Sequence, residues 1–165
     1  MGNLPGVPDV GSREASLKAT YRAAFDFGAP AAGIALEIIG SATKTVEVIG
    51  LFINRAGGAT SQFTITKRSA ASTGGTSTTP TGVPMDSRNA AATAVVKAFT
   101  VAPTPGASVG DIFTAQLIAN ESFSDVFALT VDQPVVLRGV AETLSVQSST
   151  NATVRGFVAW IERAS

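Results

Sequence analysis

Short apolar runs with a two-residue period recur along this chain, separated by Gly, Pro, Ser and Asn. Residues 62–68 (QFTITKR) alternate Phe63 and Ile65 with Thr64 and Thr66, the pattern of a strand with one buried face. Residues 34–39 (IALEII) form a second run, closed by Gly40-Ser41. Residues 45–54 (TVEVIGLFIN) begin with Val46 and Val48 on one face and Thr45 and Glu47 on the other. From Ile49 both faces turn apolar, as expected of a central strand covered on both sides. Residues 94–100, 111–119, 134–138, 143–148 and 153–162 add five more runs. Leu17, Tyr21 and Phe25 stand at helical spacing, but Tyr21, Ala23, Phe25 and Phe27 alternate, and a strand is predicted over 21–27.

About nine strands, rich in Val, Ile, Phe and Thr and punctuated by Gly/Pro turns, predict an all-β chain folded as an antiparallel β-sandwich. Connections of very unequal length favour a jelly-roll or Greek-key path over a meander. The alternation assigns Val48, Phe52, Phe63, Ile65, Phe99, Leu117, Leu137, Val146 and Phe157 to the core. Trp160, the only Trp, is also expected to pack inside. The segment 119–133, ANESFSDVFALTVDQ, reads as a loop.

Two stretches break the strand rhythm. Residues 1–19 are rich in Gly and Pro; Pro5 and Pro8 forbid a regular helix, and Leu4, Val7 and Val10 have no local apolar partners. They are expected to form an extended arm ahead of one domain spanning 20–165. Residues 69–96 (SAASTGGTSTTPTGVPMDSRNAAATAVV) hold one acidic and one basic residue among Ser, Thr, Gly, Ala and Pro. A compact domain rarely carries so long a loop without a use for it. The expectation is one long loop over 69–91 at an end of the sandwich, packed on a neighbouring subunit.

With 165 residues the chain suits one domain with a sizeable core. Twelve basic residues balance twelve acidic ones, so the basic footprint of a nucleic-acid binder is missing. The absence of both Cys and His excludes disulfides, His/Cys zinc sites, His-based triads and Cys nucleophiles. The N-terminus lacks the apolar run of a signal peptide, and no stretch is apolar for long enough to span a membrane. Low charge with positive hydropathy predicts that part of the outer surface is buried against other subunits.

Candidate chemistry is sparse. Gly74-Gly75-Thr76-Ser77 lacks the G-x-x-x-x-G-K-[ST] spacing of a phosphate loop and reads as a turn. Glu121, Asp125 and Asp132 could pair for acid–base work, and Asp125 and Asp132 with backbone carbonyls could bind calcium, but their spacing defines no motif and a solvated surface is expected. Asp86 and Arg88 are expected to form a local ion pair or Asx-turn. The tripeptides at Asn120 and Asn151 match the glycosylation pattern by chance. No cofactor, metal, small-molecule substrate or enzymatic activity is expected.

Taken in order, GSATKTVEVIGLFINR, FTITKRSAASTGGTSTTPTGVPMDSRNAAATAVVKAFTVAPTPGASVG, PVVLRGVAETLSVQ and a closing strand with W-I-E resemble small virion structural proteins of tailed bacteriophages and prophages. The resemblance covers about Gly40 to Glu162. It rests on the S-T-G-G-T-S-T-T-P-T segment at 72–81, similar to the family's S-T-x-G-G-T-S-T-T-x-T, leading through D-S to an Ala/Thr-rich strand and a P-x-x-G turn. It implies a head decoration (cement) or head–tail accessory role on the capsid exterior, in a protein made in the host cytoplasm. The implied partners are the major capsid protein and copies of the chain itself, as a trimer by fold analogy. The interface residues expected are Leu4, Pro5, Val7, Pro8 and Val10 of the arm, and Gly74, Gly75, Thr76, Thr78, Thr79 and Pro80 of the loop. A fibre component with a receptor- or carbohydrate-binding sandwich is the alternative.

Overall fold

Alternation sets the strands and the sheets follow from it. The computed structural model describes residues 18–27, 32–55, 59–118, 123–127, 133–150 and 154–164. In chain order these form β1 (Ala19–Phe27), β2 (Gly33–Ile39), β3 (Lys44–Arg55), β4 (Ser61–Arg68), β5 (Thr76–Thr78) and β6 (Val83–Pro84). They continue with β7 (Val95–Val101), β8 (Ser108–Leu117), β9 (Phe123–Phe127), β10 (Val135–Arg138), β11 (Thr143–Ser148) and β12 (Val154–Ala164). Two antiparallel six-stranded sheets pack face to face as a β-sandwich, the architecture the alternation predicts. One runs β10-β3-β12-β1-β6 with β9 also on β3; the other runs β5-β7-β2-β11-β4-β8.

Between the sheets lie Tyr21, Ala23 and Phe25 of β1, Val46, Val48, Leu51 and Ile53 of β3, and Val154, Val158 and Trp160 of β12. Leu36, Ile38, Phe63, Ile65, Leu144 and Val146 face them from the second sheet. Of the residues assigned to the core from sequence, Val48, Phe63, Ile65, Leu137 and Val146 are in this cluster, and Phe99 is buried outside it. The side chain of Leu117 lies outside the described residues.

Phe52 and Phe157 depart from the expectation. Both are only half-buried, stacked on each other with centroids 5.6 Å apart, and the Arg22 guanidinium sits 4.7 Å from the Phe157 ring. A β-bulge explains Phe52: Val48 faces Trp160 and Gly50 faces Ala159, which leaves Ile49 unpaired. The extra residue reverses the phase of β3, so Leu51 and Ile53 point inward and Phe52 outward. Phe157 follows because it lies directly opposite Phe52.

Within the loop expected over 119–133, residues 123–127 form a strand instead, since β9 pairs with β3 from Leu51 to Arg55. The long polar stretch is not one loop either. Beyond the β4–β8 ladder its first part continues as a ribbon: Ser69 N–H donates to Ala107 O (2.9 Å), and Thr73 and Thr104 exchange backbone bonds of 3.0 and 2.8 Å. β5 then pairs with β7, and β6 adds to the edge of the other sheet by pairing with β1. The ribbon packs on the outer face of its own sheet, covering Glu37, Arg68, Thr143 and Ser145, which are all buried. Ala19, assigned to the arm from sequence, already pairs with Glu162. Residues 1–17 lie outside the described residues. Among the described residues no helix is long and apolar enough to cross a membrane.

Candidate interaction surfaces

Two buried carboxylates fix the polar stretch to its own sandwich. At its start, Glu37 Oε1 accepts from Ser72 N–H (3.2 Å), the Ser72 hydroxyl (3.0 Å) and the Thr143 hydroxyl (2.8 Å). At its end, Glu162 accepts from Thr93 N–H (2.8 and 3.1 Å), the Thr93 hydroxyl (2.7 Å), Ala94 N–H (2.9 Å) and the Trp160 indole N–H (3.1 Å). Tyr21 stacks on Trp160 at 5.7 Å and donates its hydroxyl to Ala90 O at 3.0 Å. Each carboxylate therefore replaces a ladder partner for backbone that would otherwise be buried unpaired.

Burial, reinforced by the Glu162 carboxylate, raises the Tyr21 pKa above its ordinary 10.0. The folded chain holds this proton more tightly than the unfolded chain. The stabilisation is therefore complete below pH 10.0 and declines as pH rises through the folded value. Thermal melts from about pH 8 to about pH 11 are expected to show this alkaline loss in the wild type and less of it in Tyr21→Phe, which also loses about 1 kcal/mol at neutral pH with its hydrogen bond.

Asp86 and Arg88 form both features expected of them. The Arg88 side chain donates to Asp86 at 2.8 Å, and Arg88 N–H closes an Asx-turn at 3.0 Å. These bonds hold the Asp86 carboxyl at about 2. Its effect is complete above the ordinary carboxyl pKa and is lost as pH falls below that value toward about 2. Because the pair is solvated, Asp86→Asn is expected to leave the melting temperature at pH 7 unchanged.

Among the expected loop contacts, Gly74 and Gly75 take φ of 70° and 72° in a turn, and Thr76, Thr78 and Thr79 are exposed on or beside β5. Pro80 is half-buried. Leu4, Pro5, Val7, Pro8 and Val10 lie outside the described residues, as do Asn120, Glu121, Asp132 and Asn151; Asp125 is placed in β9 by its backbone alone. Among the described residues no three His, Cys, Asp or Glu side chains gather as metal ligands.

Surface chemistry instead concentrates at the two open sides of the sandwich. On one side β8 is a sheet edge exposed along most of its length, with Val109, Ile112 and Phe113 uncovered and Ile118 just beyond. Two bulges shape it. Phe113 faces Ile65 and Asp111 faces Thr66, leaving Ile112 unpaired; Gly110 faces Lys67 and Ser108 faces Arg68, leaving Val109 unpaired. Both bulged side chains line a groove of about 470 Å³, closed opposite by Pro134, Val135 and Val136 of the β10 edge. The opposite side is made by β5, β6 and the adjoining parts of β7, with Val83, Met85, Val95 and Val101 exposed. A smaller polar hollow lies between Thr60, Gln62, Gln116 and Ser149.

The sequence reading missed Glu37, Glu162 and β8 as determinants. The available signal was a single carboxylate inside an otherwise apolar strand, in IALEII and in AWIE. No protein-family model, curated protein or solved structure matches the chain.

Proposed function

We propose that this chain is a bacteriophage virion structural protein, a head decoration or cement protein that sits on the capsid exterior and clamps neighbouring capsid subunits. One observation carries the structural role. Among the described residues, the exposed large hydrophobic side chains, Val140 apart, gather on the two open sides of a chain whose formal net charge is zero. Apolar surface arranged this way is suited to burial against protein. The phage assignment rests on the sequence resemblance. In this reading the sandwich is a jelly roll, supported by the folded ribbon that carries β4 and β8 into β5 and β7. Residues 1–19 are an attachment arm, and the partners are the major capsid protein and further copies of the chain, assembled as a trimer.

The test is the protein's copy number in purified virions of the encoding phage. Band intensity near that of the major capsid protein is the expected result. A few copies per particle instead indicate a tail or fibre component, and absence from the virion overturns the reading. The arm has its own test. Deleting residues 1–10 is expected to leave the melting temperature unchanged while weakening binding to capsids lacking the protein. Wild-type affinity of the truncated chain shows that the arm makes no attachment.

A further inference from the structure

We infer that copies of this chain associate head to tail, with the β8–β10 side of one seated on the β5–β6 side of the next. This rests on the structural-subunit reading and adds the surfaces and the partner. Four exposed apolar residues mark the first side: Val109, Ile112, Phe113 and Ile118. Four mark the second: Val83, Met85, Val95 and Val101. Among the described residues these are all the exposed large hydrophobic residues except Val140 in the turn after β10. The two sides lie at opposite ends of both sheets, β8 and β10 at one, β5 and β6 at the other. A single head-to-tail contact covers both sides. A two-fold contact through β8 alone leaves the second side in water.

Charge does not oppose the contact. In the groove, Lys67 is paired with Glu142 at 3.6 Å and Asp111 accepts from the Thr66 hydroxyl at 2.7 Å. On the opposite side Asp86 and Arg88 neutralise each other. Docking therefore buries apolar surface with the Lys67–Glu142 and Asp86–Arg88 charges already paired, while Asp111 keeps its hydroxyl partner and needs a further donor from water or from the next copy. The size is also sufficient. Ten residues of β8 run about 33 Å, and two sheets stacked about 10 Å apart with their side chains span about 20 Å, giving roughly 700 Å². Stable interfaces bury about 600–1,000 Å² per partner.

The bulges determine how the contact is made. An edge that is long, uncharged and regular invites indiscriminate pairing, and bulges interrupt it. Here they make the Ser108–Ile112 half of β8 a poor ladder and present Val109 and Ile112 as knobs. The regular half, from Phe113 to Leu117, and β5 are opposite edges of one sheet, so the sheet can continue from copy to copy. A contact between unlike surfaces closes into a ring or extends as a filament.

Sedimentation velocity on the full chain at micromolar concentration tests this. The wild type is expected to have the mass of three or more protomers. Val109→Asp with Ile112→Asp, and separately Val83→Asp with Met85→Lys, are each expected to reduce it to one protomer. Mixing the two variants is the decisive arm, because each retains the face the other lacks. A one-to-one heterodimer that grows no further is expected, and its formation also shows that both variants are folded. A monomeric wild type overturns the inference. So does a dimer indifferent to the Val83/Met85 change, which indicates two-fold pairing through β8, or a mixture that yields no heterodimer. The outcome is separable from the virion reading: an abundant virion protein that stays monomeric sinks only this inference, and a ring-forming protein missing from virions sinks only that reading.

Discussion

Glu162→Ala is expected to destabilise the sandwich by about 3–5 kcal/mol, because it leaves several donors without their shared acceptor. The carboxylate receives the Thr93 and Ala94 amides, the Thr93 hydroxyl and the Trp160 indole N–H. Thr93 is exposed and can turn to water. Ala94 and Trp160 are buried, so alanine leaves their donors orphaned, at about 1–3 kcal/mol each. The lost side chain also leaves space beside the largest ring in the core, against which Gly82 is packed. At about 2–4 °C per kcal/mol for a chain of this size, the melting temperature falls by about 10 °C. Glu162→Gln keeps one acceptor oxygen and the shape, and is expected to lose only about 1–2 kcal/mol. Differential scanning calorimetry of the three proteins checks the order. An alanine variant that melts within two or three degrees of wild type shows that water replaces the carboxylate.

Glu162 also marks the limit of what the sequence makes legible. Most strands were readable because their order comes from local alternation: Phe63 and Ile65, or Val46 and Val48, declare a face without reference to the rest of the chain. The polar stretch has no such period. Its course is fixed by bonds to Glu37 and Glu162, 35 and 69 residues away from Ser72 and Thr93, and such bonds leave no local pattern. Phase errors have a second origin. Phe157 and Trp160 are three residues apart and cannot both point inward from one regular strand, so only one could be core. Phe52 is displaced by the bulge at Ile49, which depends on how β3 meets β12 and not on the composition of either. The apolar edge of β8 was hidden in the same way: with bulges at Val109 and Ile112, its exposed apolar residues Val109, Ile112 and Phe113 follow no two-residue period and match no strand template. The arm contacts fall outside the described residues.

Gly156→Ala is expected to cost about 3 kcal/mol, whereas Gly50→Ala in the adjoining strand changes stability by less than about 0.5 kcal/mol. The contrast comes from what a methyl group meets at each place. At Gly156 it collides with the carbonyl oxygen of Phe52 and comes within 3.0 Å of the Phe25 ring. The first obstacle is backbone in the paired strand β3, which cannot move without disturbing the eleven-pair β12–β3 ladder. The second is a buried ring in the core that faces Gly156 directly from β1. Relief requires β12 to shift away from both neighbours at once, and a close-packed interior resists this. At Gly50 the nearest atom is Ala159 Cβ at 3.8 Å, an ordinary contact. Alanine there fits the space and restricts the unfolded chain, which offsets any small misfit. Urea unfolding of the two variants provides the comparison. Equal midpoints for Gly156→Ala and wild type mean that β12 can move, and the glycine is then not required for the close approach of the central strands.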